Sequence, residues 1–136
     1  MTTVANALSA LGIQEWVLRG DPTDSAEFGT MFAKVTGADA NNSAIESKDP
    51  KDWGVTWTQV KAKKDELIAA EPMRLLRIER DRKLAETDFY ALGDVTMADN
   101  MKTYRQALRD LPASATPKLK ADGTLDESSF TWPTKP

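Results

Sequence analysis

Apolar residues recur at helical spacing in several stretches of this chain, and the polar, glycine- or proline-containing breaks between them divide it into elements. Val4, Leu8 and Leu11 predict a short helix over residues 3–11 that Gly12 stops. Gln14-Glu-Trp-Val-Leu-Arg19, rich in strand formers and closed by Gly20-Asp-Pro22, predicts a strand and a turn. Asp24 or Ser25 then caps a helix whose inner face is Phe28, Met31, Phe32 and Val35, running until Gly37. Residues 38–54 read as loop, with one short strand at Ala44-Ile45-Glu46 to pair with residues 14–19.

The second half is more strongly helical. Thr56-Trp-Thr-Gln59 has the form of a capping box, in which a hydroxyl and an amide side chain satisfy backbone amides reciprocally. It opens a helix with Trp57, Val60, Lys64, Leu67 and Ile68 on one face, and Pro72 predicts a kink or break at Ala70-Glu71. From Met73 to Asp88 the apolar stripe narrows to Leu75, Ile78, Ala85 and Phe89, flanked by Met73, Leu76 and Leu84, which suits a helix hairpin. Thr96-Met-Ala-Asp99 offers a cap to a further helix with Met97, Met101, Tyr104, Leu108 and Leu111 turned inward, ended before Pro112. Leu119 and Leu125 flank Asp122-Gly123, a hairpin signal, and Phe130-Thr-Trp-Pro-Thr-Lys-Pro136 is an extended arm. The fold class is therefore α+β, mainly helical: a small N-terminal helix-strand-helix unit over 1–54, a helical hairpin core over 55–111, and a C-terminal β-hairpin and arm over 112–136.

Charge sharpens this division. Residues 1–54 carry four Lys/Arg against eight Asp/Glu, while residues 55–111 carry eleven against ten. Between Glu71 and Asp88 the charges alternate, with Arg77/Asp81, Glu79/Lys83 and Arg82/Glu86 spaced for ion pairs along a helix. Interleaved acids cancel the basic strip Arg74, Arg77, Arg80, Arg82 and Lys83, and the chain is −3 overall, so no nucleic-acid partner is expected. No apolar run spans a bilayer, and Met-Thr-Thr-Val-Ala-Asn lacks the basic start of a signal peptide; a soluble, unsecreted product with no membrane partner is the expectation.

The chain has no cysteine and no histidine, which removes disulfides, thiolate nucleophiles, Cys/His zinc sites and a histidine base. A carboxylate and a hard metal remain the one route to hydrolysis, but Asp65/Glu66, Glu79/Asp81 and Asp126/Glu127 lie in polar contexts that predict solvation. The reading is that there is no catalytic residue, no metal and no cofactor. Four tryptophans in 136 residues are more than a small core readily hides, and indoles are favoured interface anchors.

Three ordered blocks carry a further signal: Arg77-Ile-Glu-Arg-Asp-Arg-Lys-Leu-Ala-Glu-Thr-Asp-Phe-Tyr90, Thr103-Tyr-Arg-Gln-Ala-Leu-Arg-Asp-Leu-Pro112 and Thr131-Trp-Pro-Thr-Lys-Pro136. Together, over about residues 72–136, they resemble the tail assembly chaperone family of tailed bacteriophages and, more distantly, the C-terminal part of tail fibre assembly proteins. That family's pattern runs Arg-Asp-x-x-Leu-x-x-Thr-Asp-Trp, then Trp-x-x-Tyr-Arg-x-x-Leu-Arg, then Trp-Pro. Here Phe89 and Met101 stand where the pattern has Trp.

The resemblance implies a non-enzymatic protein that binds a phage tail or tail-fibre polypeptide in the host cytoplasm, with a virion structural or adaptor role as the alternative; whether it self-associates stays open. Residues assigned to fixing the hairpin or binding the partner are Asp88, Phe89, Tyr104, Arg105, Arg109 and Trp132. Arg105 or Arg109 would pair with Asp88 or Asp81 across the hairpin, leaving Trp132 to clamp it or a partner.

Overall fold

A computed structural model describes all residues, 1–136. The order is α1 (Val4–Ala10), β1 (Trp16–Leu18), α2 (Ser25–Met31), β2 (Phe32–Ala38), β3 (Ala44–Ser47), α3 (Trp57–Ala85), α4 (Asp99–Ser114), β4 (Lys118–Leu119) and β5 (Leu125–Asp126), with single 3-10 turns at Pro50–Asp52, Asp88–Ala91 and Glu127–Ser129. This is a mainly helical α+β protein. Its contacts fall into two compact units, Met1–Ala69 and Ala70–Pro136.

In the N-terminal unit, α1 is capped at both ends. Thr3 and Asn6 form a capping box, and Gly12, at φ +74°, adopts the left-handed conformation that lets its amide and that of Ile13 reach the carbonyls of Ser9 and Leu8. Asp24 caps α2 by accepting from the Glu27 amide at 2.8 Å. The antiparallel sheet has the order β1-β2-β3, so β3 pairs with β2 and not, as the sequence suggests, with residues 14–19.

That arrangement follows from where α2 ends. The helix predicted to reach Gly37 stops at Met31, and Phe32–Ala38 is a strand. The Phe28/Phe32 spacing that suggests a longer helix is a real contact, with stacked rings 4.8 Å apart, but it is made across a helix-to-strand junction. Val35 and Thr36 are β-branched, and pairing with strands on both sides outweighs the local helical period. Phe28, Phe32 and Trp53 join Val4, Ala7, Leu8, Val55 and Val60 in one buried core, with Trp16 and Trp57 packed against it.

α3 starts from the capping box the sequence shows: Thr56 Oγ1 accepts from the Gln59 amide at 3.3 Å, and Gln59 Oε1 from the Thr56 amide at 2.9 Å. It then runs 29 residues through Pro72, where a kink or break is expected. The proline deprives the Ile68 carbonyl of its amide partner, but Ile68 is exposed, so water can replace it, and the flanking Ala, Lys, Glu, Leu and Arg residues strongly favour helix. Pro112 likewise lies inside α4, which continues to Ser114; in a last turn a missing amide costs one bond at an end already short of partners. The N-cap of α4 is Ala98, with no side-chain cap, in place of the Thr96-to-Asp99 motif.

The buried stripe of the C-terminal half of α3 also differs from the heptad reading. Ile78, Ala85 and Phe89 are exposed, while Leu76 and Thr87 are fully buried and Leu84 packs on the α4 cluster. Two adjacent stripes compete around this helix and the turn after it, and the packing of Leu84 on the α4 cluster, invisible to the helix's own periodicity, marks the buried one. The ion pairs differ in one place as well: Glu79–Lys83 and Arg82–Glu86 form, but Asp81 is taken by Arg80 at 2.7 Å and not by Arg77.

Candidate partner-binding site

Residues 70–136 are organised around the end of α3. Its last carbonyls have no helical amide to accept from, and they form the negative pole of the helix. The Leu84 carbonyl accepts there from the Thr87 amide and from the Thr87 hydroxyl, both at 3.1 Å. From α4, Arg105 Nη1 donates to that carbonyl at 2.9 Å and to Thr87 Oγ1 at 2.6 Å. Its Nη2 donates to the Asp88 carboxylate at 2.8 Å.

One guanidinium, 7% exposed, thus satisfies a helix terminus, a fully buried hydroxyl and a carboxylate. The planar fork of arginine suits this, because it presents several donors in fixed directions. A lysine at this position would offer a single nitrogen.

Beside this junction Met101, Tyr104 and Leu108 of α4 form a buried cluster, against which Leu84, Tyr90, Met97 and Trp132 pack. Burial raises the Tyr104 phenol above its ordinary pKa, and the negative charge of Glu86 raises it further, so it is a neutral packing group at physiological pH. The Trp132 ring lies edge-on to Phe130 at 4.9 Å and under the Lys83 ammonium at 5.0 Å. Its Nε1 is buried without a hydrogen-bond partner.

Of the residues singled out in the sequence, Asp88 and Arg105 are brought into one hydrogen-bonded group, and Tyr104 and Trp132 into the adjoining cluster. Phe89 stays outside, 52% exposed, with its ring on Tyr90 at 4.1 Å. Arg109 is exposed and reaches only Gln106, at 3.4 Å. Sequence reasoning passed over the bonding of Thr87 and the Leu84 carbonyl. The available signal was a threonine directly after the last apolar turn of a helix, where its hydroxyl can bond back to the chain.

Most of the remaining charged groups on α3 pair with a neighbour on the same helix, while Lys64 reaches Asp21 and Arg77 has no ion-pair partner. Arg82 holds the Glu79 carboxyl below the usual range, through its hydrogen bond first and its charge second, and Arg74 does the same to Glu71. No three acidic side chains converge so as to hold a metal ion. No helix is long and apolar enough to cross a membrane.

Comparison with curated proteins and with solved structures finds no match to this chain. A family model does match: residues 73–136, the stretch that contains the Arg105 junction and the Trp132 cluster, are similar to the family described as phage tail assembly chaperone protein.

Proposed function

We propose that the protein is a non-enzymatic assembly factor that binds a phage tail or tail-fibre polypeptide in the host cytoplasm. The observation that supports this reading is the coincidence of the family match, residues 73–136, with a compact unit, residues 70–136. In that unit the blocks carrying the family pattern meet through Arg105, Thr87, Asp88 and Trp132. Holding α3 and α4 together in this way, Asp88, Tyr104 and Arg105 form a scaffold, and the exposed Phe89 and Arg109 lie where a partner could reach them.

The test is co-expression of the tagged chain with each tail and tail-fibre protein encoded beside it. Co-purification of one of them, with more of it recovered soluble than when it is expressed alone, is the expected result. Stoichiometric presence of the chain in purified virions by mass spectrometry would replace this reading with that of a structural or adaptor component.

A further inference from the structure

Next to the Arg105 junction, the Asp88–Ala91 turn and α4 border a cleft of about 430 Å³. Ala91 and Met97 give it apolar lining, and all its charged lining residues are cations: Lys102, Arg105 and Arg109. Arg105 is committed to Asp88 and the end of α3. Lys102 has only Asp99, at 3.1 Å, in a solvent-exposed pair that contributes little. Arg109 has no carboxylate at all, whereas Arg74, Arg80, Arg82 and Arg105 of the same unit each have one.

We propose that this cleft docks an acidic peptide segment carrying an apolar anchor. A carboxylate would meet the free fork of Arg109 in bidentate geometry, with Lys102 beside it. An adjoining apolar side chain would enter toward Ala91 and Met97. The same 3-10 turn exposes Phe89, and Leu92 just after it is 58% exposed, so apolar surface extends beyond the cleft.

The charge favours a peptide over a nucleic acid. The cleft is a positive spot on a chain of net charge −3, and Asp88 and Asp99 offset two of its three cations. One surplus cation can single out a carboxylate but cannot neutralise a run of phosphates. The proposal deepens the tail-assembly reading and rests on it only for the source of the segment.

The test uses the full chain and a short fluorescent peptide of interleaved Glu, Asp, Leu and Phe, read by anisotropy. Its Gln/Asn counterpart and a single-stranded oligonucleotide are the comparison probes. The acidic peptide is expected to bind, Arg109→Glu and Lys102→Glu to weaken it about tenfold or more, and Arg77→Glu to leave it unchanged. Arg77 is an exposed arginine without an ion-pair partner that does not line the cleft, and unaltered thermal melts will show that all three variants fold.

Equal losses for Arg77→Glu and Arg109→Glu, equal binding of the Gln/Asn peptide, tighter binding of the oligonucleotide, or no binding would each overturn the proposal. The same variants in the co-purification experiment separate the two readings. A tail protein captured equally by wild type and Arg109→Glu sinks the cleft and spares the assembly role, while peptide binding without capture of any tail protein does the reverse.

Discussion

The N-terminal unit closes around rings and the C-terminal unit around a guanidinium. In the first, Phe28 touches Phe32, Trp53 and Trp57, with centroids 4.8–5.4 Å apart, and eight buried apolar residues share one cluster. In the second, only Met101, Tyr104 and Leu108 form the buried cluster, and a cross-helix arginine satisfies three oxygen acceptors. Apolar packing is non-directional and tolerates many side chains of suitable volume, while the arginine junction requires particular donors and acceptors at particular places. The two units should therefore answer to different substitutions, the first to lost side-chain volume and the second to a lost donor or acceptor.

The largest effect that would break this contrast lies in the ring cluster. Phe28→Ala removes a side chain 1% exposed that touches three other aromatic rings, and should destabilise the N-terminal unit by about 3–5 kcal/mol. Hydrogen exchange should show protection lost in residues 1–69 and kept in α4. Loss of α4 protection to the same degree would mean the two units do not unfold separately.

Arg105→Met is the matching change in the other unit. It keeps the length and apolar stem but leaves Thr87 Oγ1 and Asp88 without the cation; the Leu84 carbonyl retains the Thr87 donors. Because Asp88 is 65% exposed and can be rehydrated, the cost should be about 2–3 kcal/mol, below that of stranding a fully buried ion pair. Urea unfolding measures it, and Arg105→Lys should recover only part of the loss. Full recovery by lysine would show that charge alone matters and that the fork does not.

The two units were also legible to different degrees. In the C-terminal unit the period of Met101, Tyr104 and Leu108 gave the inner face of α4, and the pairing of Arg105 with Asp88 was among those the motif allowed. What escaped was register: Leu76, Leu84 and Thr87 turn inward where Leu75, Ile78 and Phe89 read as the stripe, and the packing of Leu84 on the α4 cluster is not visible in the period of α3. In the N-terminal unit the capping box at Thr3 went unread, while the glycine stop at Gly12 and the cap at Asp24 were local and detectable. The switch from helix to strand at Phe32 was not, because it depends on pairing with Leu18, far away in sequence. Pro72 misled for a related reason, since its cost depends on whether the Ile68 carbonyl can be hydrated.

A smaller change isolates the ionic part of the junction. Asp88→Asn keeps an acceptor for Arg105 Nη2 and removes only charge, at a site mostly open to water. It should cost roughly 0.5–1 kcal/mol, well under the Arg105→Met effect, in paired urea titrations. An equal cost would mean that the ion pair, and not the bonds to Leu84 and Thr87, holds the two helices.

Acid should separate the units little. Glu71 and Glu79 in one and Glu46 in the other are held below the ordinary carboxylate range, each first by an arginine hydrogen bond. In Asp21 burial pushes upward, but bonds from the Val4 amide and Lys64 outweigh it. Groups with a depressed folded-state pKa contribute stability that is present above the unfolded value and lost as pH falls through the folded one. Thermal stability should therefore hold near neutrality and decline only below the usual carboxylate range, in both units. A decline between pH 6 and 8 would contradict this, the chain having no histidine to cause it.

The finest test concerns Trp132, where two opposing terms nearly cancel. Its Nε1 is buried and unpaired, a penalty of about 1–3 kcal/mol that Trp132→Phe removes. Against that, the smaller ring gives up buried area and weakens the stacking of the Lys83 ammonium, together about 1–2 kcal/mol. Trp132→Phe should thus fall within about 1 kcal/mol of wild type, while Trp132→Ala, which loses the packing on Tyr104 and Leu108 outright, should cost about 2–3 kcal/mol. If phenylalanine proved as damaging as alanine, the indole N–H would have to be bonded in solution, and the arm would join Arg105 as a second directional element of this unit. A neutral result leaves the arm as apolar packing, of the kind that dominates the N-terminal unit, and confines the directional chemistry to the end of α3.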